Sequence, residues 1–216
     1  GIKVGVRNAQ DGISVVQTAE GALNETTSIL QRMRDLTVQA GNSGSLTTAA
    51  TANIQTEITK LTSTLDDIAS NTSFNGQKLL DGTYTAKTFQ VGANGGETVS
   101  VSIGDMASTK ILGTALTTLD GTNATATANL AKIDVAIGAV STERANLGAT
   151  SNQFDHVINN ANVALENVTA SESRIRDTDM ASEMVNYTRT SILSQAGTAM
   201  LAQAKSFPQG VLQLLQ

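Results

Sequence analysis

The chain has 216 residues, with 14 Lys plus Arg against 19 Asp plus Glu and a formal net charge of −5 with its one His neutral. The absence of Cys excludes disulfides, thiolate metal sites and a cysteine nucleophile, and a single His excludes the two-His zinc signatures. With 15% charged residues and an acidic balance, nucleic acid is not expected as a partner, and no apolar run approaches the roughly 20 residues that cross a bilayer, so no membrane is expected either.

Only 3% of the residues are aromatic and there is one Pro. Ala, Leu, Ile, Val, Thr and Gly must then fill the core, which suits long helices packed at close range and not a deep pocket lined by rings. The start, Gly1-Ile2-Lys3-Val4, carries neither an initiator Met nor an apolar signal segment, and a chain shortened at its N-terminus is expected.

The first helix is predicted over about 4–40. Val16, Leu23, Leu30 and Thr37 recur every seven residues, as do Ala19, Thr26, Met33 and Ala40 at an offset of three, with Val15, Ala22, Ile29 and Leu36 alongside. That pattern marks a helix in a coiled-coil-like bundle. Gly41-Asn42-Ser43-Gly44 ends it. A second helix follows over about 48–70, where Ile54, Ile58, Leu61, Leu65 and Ile68 make one stripe. The short link implies an antiparallel return along the first helix.

Asn75-Gly76 and Asp81-Gly82 are turn dipeptides. Two stretches with β character come next, Thr83–Val91 and Thr98–Ile103. In the second, Val99, Val101 and Ile103 alternate with serines, and Asn94-Gly95-Gly96 supplies the turn. A β-hairpin over about 83–103 is predicted, which must lie on the helices to be stable. Residues 104–126 are rich in Gly, Thr and Ala and read as a surface loop.

A long helix is predicted over about 127–171. Leu130, Ile133, Ile137, Val140 and Leu147 start its stripe, and Phe154, Ile158, Ala161, Leu165, Val168 and Ile175 continue it. Its length is on the order of 65–70 Å at 1.5 Å per residue. The last helix, from about 178, has Thr178 and Asp179 as caps and Glu183 in its first turn. Pro208-Gln209-Gly210 is expected to stop it.

From Thr190 to Ala204 no residue is charged. Such a helix lacks the charged face of a solvated one and is too polar and short for a membrane. It is expected to be buried in a protein-lined interior, through Ile192, Leu193, Ala196, Gly197, Ala199, Met200 and Leu201, and the partner is expected to lie outside this chain. Gly197 is read as a site of close helix approach; Gly12, Gly21, Gly138 and Gly148 fit either that reading or a tolerated weakness.

No catalytic, cofactor or metal site emerges. His156, among Asp155, Asn159 and Asn160, reads as a surface histidine, and Asp66-Asp67 as helix-surface charges with no cleft to separate their pKa values. The Asn-x-Ser/Thr triplets at Asn24, Asn71, Asn123, Asn167 and Asn186 read as chance in an Asn/Thr-rich chain.

Several blocks resemble bacterial flagellins. One is Gln17-Thr18-Ala19-Glu20-Gly21-Ala22-Leu23-Asn24-Glu25 followed by Ile29-Leu30-Gln31-Arg32-Met33-Arg34-Asp35-Leu36; others are Phe74-Asn75-Gly76-Gln77-Lys78-Leu79-Leu80-Asp81-Gly82 and Phe89-Gln90-Val91-Gly92-Ala93-Asn94. Near the end, Ser173-Arg174-Ile175-Arg176-Asp177-Thr178-Asp179-Met180-Ala181 and Ser194-Gln195-Ala196-Gly197-Thr198-Ala199-Met200-Leu201-Ala202-Gln203-Ala204 are similar to the family's C-terminal signature. The resemblance implies a mainly α fold: a rod-like antiparallel bundle of long helices with a β-hairpin, plus a C-terminal coiled-coil helix. The core domain would span 1–177 and the inner-core helix 178–216. It implies a non-enzymatic subunit of the flagellar filament, outside the cell, with little or no outer domain at 104–126.

Implied partners are other flagellin subunits, an export chaperone, the cap and junction proteins, and the flagellin-sensing Toll-like receptor of vertebrates. The family's receptor motif falls on Gln31, Arg32 and Leu36, with Glu57 as acidic partner, while Asp35 and Met33 depart from it. Arg32 and Arg34 read from sequence alone as a solvated face and, with the motif in view, as contacts in assembly or receptor binding. A hook–filament junction protein is the competing reading.

Overall fold

The computed structural model describes residues 1–42, 44–176 and 179–214, with side chains described as far as Lys205. In chain order the elements are α1 (Ile2–Ala40), α2 (Thr48–Asn71), β1 (Ser73–Phe74), β2 (Gln77–Lys78), β3 (Lys87–Gln90), β4 (Thr98–Val101), α3 (Ser108–Ile111), α4 (Asn123–Arg176) and α5 (Met180–Leu214). They form two compact units, Gly1–Leu165 and Glu166–Gln216. The division expected between 177 and 178 falls on residues outside the described ones.

On α1 the buried positions are Gly5, Ala9, Gly12, Val16, Ala19, Leu23, Thr26, Leu30, Met33, Thr37 and Ala40, alternately four and three apart, with Val15 and Leu36 buried beside them. This is the predicted heptad seam, extended toward the N-terminus by small residues. The two buried threonines do not strand a polar group: Thr26 Oγ1 donates to the Ala22 carbonyl at 3.1 Å and Thr37 Oγ1 to that of Met33 at 2.7 Å.

Helix α2 begins at Thr47, whose side chain accepts from the Ala50 N–H at 3.2 Å. It buries Thr51, Ile54, Ile58, Leu65 and Ala69. The short link returns the chain along α1, so that Arg32 reaches Glu57. Helix α4 also runs antiparallel to α1: Gly41 adjoins Ala126, Arg34 pairs with Asp134, and Gly12 adjoins Phe154. At Gly12 a Cβ would lie 2.5 Å from Phe154 Cζ, so the absent side chain is what admits the ring. Phe154 is fully buried and meets Phe89 edge-on, with centroids 5.5 Å apart.

Four-residue strands β3 and β4 pair antiparallel, with Phe89 opposite Val99 and Gln90 opposite Thr98. Val99 and Val101 are buried and Ser100 is exposed, as their alternation predicts. Asn8 ties this hairpin to α1 by donating to the Gln90 carbonyl at 2.8 Å. A smaller hairpin, β1–β2, was legible in sequence only as its turn. Asn75 and Gly76, with φ of 48° and 79°, take the two left-handed positions that such a tight connection needs.

The surface loop expected over 104–126 is corrected by the structure. Met106, Ser108, Ile111, Leu112 and Leu119 are buried, Ser108–Ile111 form α3, and residues 123–126 already belong to α4. Polar side chains from the neighbouring helices hold this segment down. Asp66 accepts from the Ser108 N–H at 2.8 Å and its hydroxyl at 3.1 Å, so it is not merely a surface charge. Gln55 accepts from the Leu119 N–H at 2.8 Å. Asn129, only 1% exposed, accepts from the Thr117 N–H at 2.8 Å and donates to its carbonyl at 2.6 Å.

Asp120 closes the segment at the start of α4. One of its oxygens accepts from the Thr122 N–H, the Thr122 hydroxyl and the Thr125 hydroxyl at 2.9, 2.6 and 2.7 Å. These bonds favour the ionised form and lower its pKa to about 2. Along α4 Ile133, Val140, Leu147 and Phe154 are buried, Leu130, Ile137, Ile158 and Leu165 only partly, and Val168 and Ile175 are exposed. Helix α5 does not stop at Pro208 but continues to Leu214. The missing N–H of a proline removes one helical bond and here does not end the helix.

Candidate assembly surface

Asp179 sets the start of α5, its carboxylate accepting from the Ala181 and Ser182 N–H groups at 3.0 and 3.3 Å. Thr178, the other expected cap, lies outside the described residues. From Met180 to Lys205 every residue is exposed except Ser191, which is intermediate. Ile192, Leu193, Met200 and Leu201 are 60%, 65%, 74% and 65% exposed. Ala196, Gly197 and Ala199 are exposed between them, and nothing approaches within 4 Å of where a Gly197 Cβ would stand. The close approach read for Gly197 is therefore absent from the single chain, whereas Gly12 does make one.

Sequence reasoning did not single out Met180, Met184, Val185 and Tyr187, which are as exposed as the residues it named. The signal was present: Met180, Met184, Thr188 and Ile192 are four apart and share a side of the helix. Arg189 and Lys205 bracket an exposed stretch without any charge. Large exposed apolar surface of this kind marks an interaction site.

The second group of named residues lies on the first two helices. Gln31 is exposed, and Arg32 reaches across to α2, where its Nε and Nη2 both meet one oxygen of Glu57 at 2.8 and 2.6 Å. Both partners are about half exposed, so the pair is worth little in stability, at most about 1 kcal/mol. Arg34 reaches the other way, to Asp134 on α4 at 2.9 Å. Leu36 is only 2% exposed and packs in the core, so it is not brought to the surface with Gln31, Arg32 and Glu57. Among the described residues no helix is long and apolar enough to cross a membrane.

Residues 1–85 match the family model for the bacterial flagellin N-terminal helical region, and residues 130–215 that for the bacterial flagellin C-terminal helical region. The chain belongs to the bacterial flagellin family. Flagellin of Bacillus subtilis (strain 168) is 48% identical to it over 248 residues, covering all of this chain and 81% of that protein. Flagellin FlaB2 of Treponema pallidum is 42% identical over 230 residues, covering all of this chain and 80% of its own length. The crystal structure of Bacillus cereus flagellin superposes with a TM-score of 0.64 at 34% identity, covering 72% of this chain and 88% of that one. As a flagellin the chain is a structural subunit of the flagellar filament, a polymer of flagellin subunits. Residues 86–129, between the two matched regions, hold the larger hairpin and the segment strapped to α2 and α4.

Proposed function

We propose that this flagellin polymerises by burying the uncharged stretch of α5, through Ile192, Leu193, Ala196, Gly197, Ala199, Met200 and Leu201, among copies of itself. The observation that carries the reading is the combination of no charge from Thr190 to Ala204 with exposure of every residue there but Ser191. Burying a large aliphatic side chain contributes about 1.5–3 kcal/mol. Four of them, each already about one-third shielded, would contribute on the order of 4–8 kcal/mol. Association costs about 4–15 kcal/mol in lost translational and rotational freedom. One pairwise contact therefore roughly breaks even, and a subunit that touches several neighbours gains. That balance favours a monomer in dilute solution and a helical polymer once a nucleus exists, built through head-to-tail interfaces whose rotation does not close.

The test is Ala199→Asp in the full chain. A carboxylate buried in the polymer costs several kcal/mol, so the critical concentration should rise by about 100-fold or more, while the exposed position leaves the monomer's thermal transition within about 2 °C. Sedimentation and electron microscopy read the first, circular dichroism the second. Normal filament growth by this variant would overturn the reading.

The same exposure suits an export chaperone that covers α5 before assembly, release outside the cell, and contact with the cap and junction proteins in the finished flagellum. The junction-protein alternative is disfavoured by 48% identity to a flagellin across the whole chain; a count of copies per filament separates the two. A second reading concerns the Toll-like receptor. Gln31 and Arg32 are exposed on α1 beside the half-exposed Glu57 of α2, and the three would form the contact, with Leu36 supporting it from beneath. Arg32→Ala should then lower signalling in receptor reporter cells without changing polymerisation.

A further inference from the structure

The five methionines divide sharply. Met33 and Met106, in the first unit, are 0% and 6% exposed. Met180, Met184 and Met200, all on α5, are 70%, 61% and 74% exposed. Met180 and Met184 are one turn apart on one side of the helix, and Met200 stands two turns beyond Leu193 on the same side as that residue. Met200 thus lies in the uncharged stretch proposed to be buried on polymerisation, Met180 and Met184 stand exposed on the turns of the same helix that lead into it, and the core keeps the other two.

We propose that Met180, Met184 and Met200 form a peroxide-modification site of the unassembled subunit, and that oxygen transfer to them stops the subunit from joining a filament. This rests on the proposed burial of α5. In the reaction a lone pair of the thioether sulfur attacks one oxygen of hydrogen peroxide. The S–O bond forms and the O–O bond breaks. The proton of the transferred hydroxyl goes to the departing hydroxide, which leaves as water. Sulfur is oxidised by two electrons and the peroxide is reduced. The product sulfoxide turns a flexible apolar side chain into a polar one, which disrupts a methionine-containing interface. The reaction is reversible by sulfoxide reduction. A subunit already inside a polymer would be protected, so the site distinguishes free from assembled protein.

The test exposes the full chain to dilute hydrogen peroxide, as free subunits and as pelleted filaments, and maps sulfoxide at each methionine by peptide mass spectrometry. In free subunits the three α5 methionines should react at least about ten-fold faster than Met33 and Met106, because reactivity follows exposure. In filaments the same three should become slow. Pelletable protein from oxidised subunits should fall by about ten-fold or more.

A triple variant, Met180→Leu, Met184→Leu and Met200→Leu, replaces each sulfur at similar volume and is judged by the ratio of its own treated to untreated pellet. That ratio should stay near one. Equal oxidation of all five methionines, unchanged polymerisation after oxidation, undiminished oxidation in filaments, or a triple variant as peroxide-sensitive as the parent would each overturn the proposal. An untreated chain that never pellets would refute the burial reading and with it the assembly half of this proposal, while the sulfoxide map decides the reactivity half separately.

Discussion

The same substitution at two glycines of α1 should move stability in opposite directions. At Gly21 nothing lies within 4 Å of an added Cβ and the residue is exposed, so Gly21→Ala should stabilise by about 1 kcal/mol through helix propensity and the unfolded chain's lost freedom. At Gly12 the added Cβ would meet three atoms of the Phe154 ring at 2.5, 2.8 and 2.9 Å. That ring is fully buried and packs edge-on against Phe89. Overpacking of this kind costs about 1–3 kcal/mol. Set against the same propensity gain of about 1 kcal/mol, Gly12→Ala should destabilise by up to about 2 kcal/mol. With roughly 2–4 °C per kcal/mol at this size, Gly21→Ala should raise Tm by about that amount and Gly12→Ala lower it by up to about 8 °C. Circular dichroism melts of the two variants read this directly. In a Phe154→Leu background the penalty at Gly12 should shrink, since contacting residues couple. A rise in Tm for Gly12→Ala equal to that for Gly21→Ala would refute the packing argument.

Two further outcomes follow from the strapped segment before α4. Asn129→Leu leaves the N–H and carbonyl of the exposed Thr117 without their partner; at about 0.5–1.5 kcal/mol per lost hydrogen bond, urea unfolding should show a loss of roughly 1–3 kcal/mol, and a loss under about 0.5 kcal/mol would contradict it. Asp120 has a folded pKa of about 2, depressed from 3.8, so its contribution is present above its unfolded value and is lost as pH falls through the folded one. The Tm advantage of the native chain over Asp120→Asn should hold at pH 5–7 and shrink as pH falls from about 4 through 2; an advantage as large at pH 2 as at pH 7 would rule this out.

What could be read from sequence was whatever repeats. Met33, Leu30 and Leu23 lie on a seven-residue period, and their burial follows from geometry that each heptad restates. Val99 and Val101 obey the two-residue period of a strand. The segment after the hairpin obeys neither. Its anchors are side chains acting on distant backbone, Asp66 on Ser108 and Gln55 on Leu119, 42 and 64 residues apart, and no periodicity carries such contacts. Asp66 is an exposed helix-surface charge, as read, but its anchoring of Ser108 was missed for that reason. Leu36 shows a different gap. It flanks the seam, and only the packed structure tells that it is covered while neighbouring Gln31 and Arg32 are not. On α5 the missing charge was plain in the sequence, and the structure adds that the isolated chain leaves those residues in water.

The most direct test of the account is amide hydrogen exchange over residues 190–204, compared with residues 15–40, in dilute subunits and in sedimented filaments. A lone exposed helix is marginal in water, so in free subunits residues 190–204 should exchange orders of magnitude faster than the α1 seam and should become comparably slow in filaments. Equal protection of the two segments in the free subunit, or fast exchange of residues 190–204 inside the filament, would contradict the claim that α5 is buried only among copies of this chain.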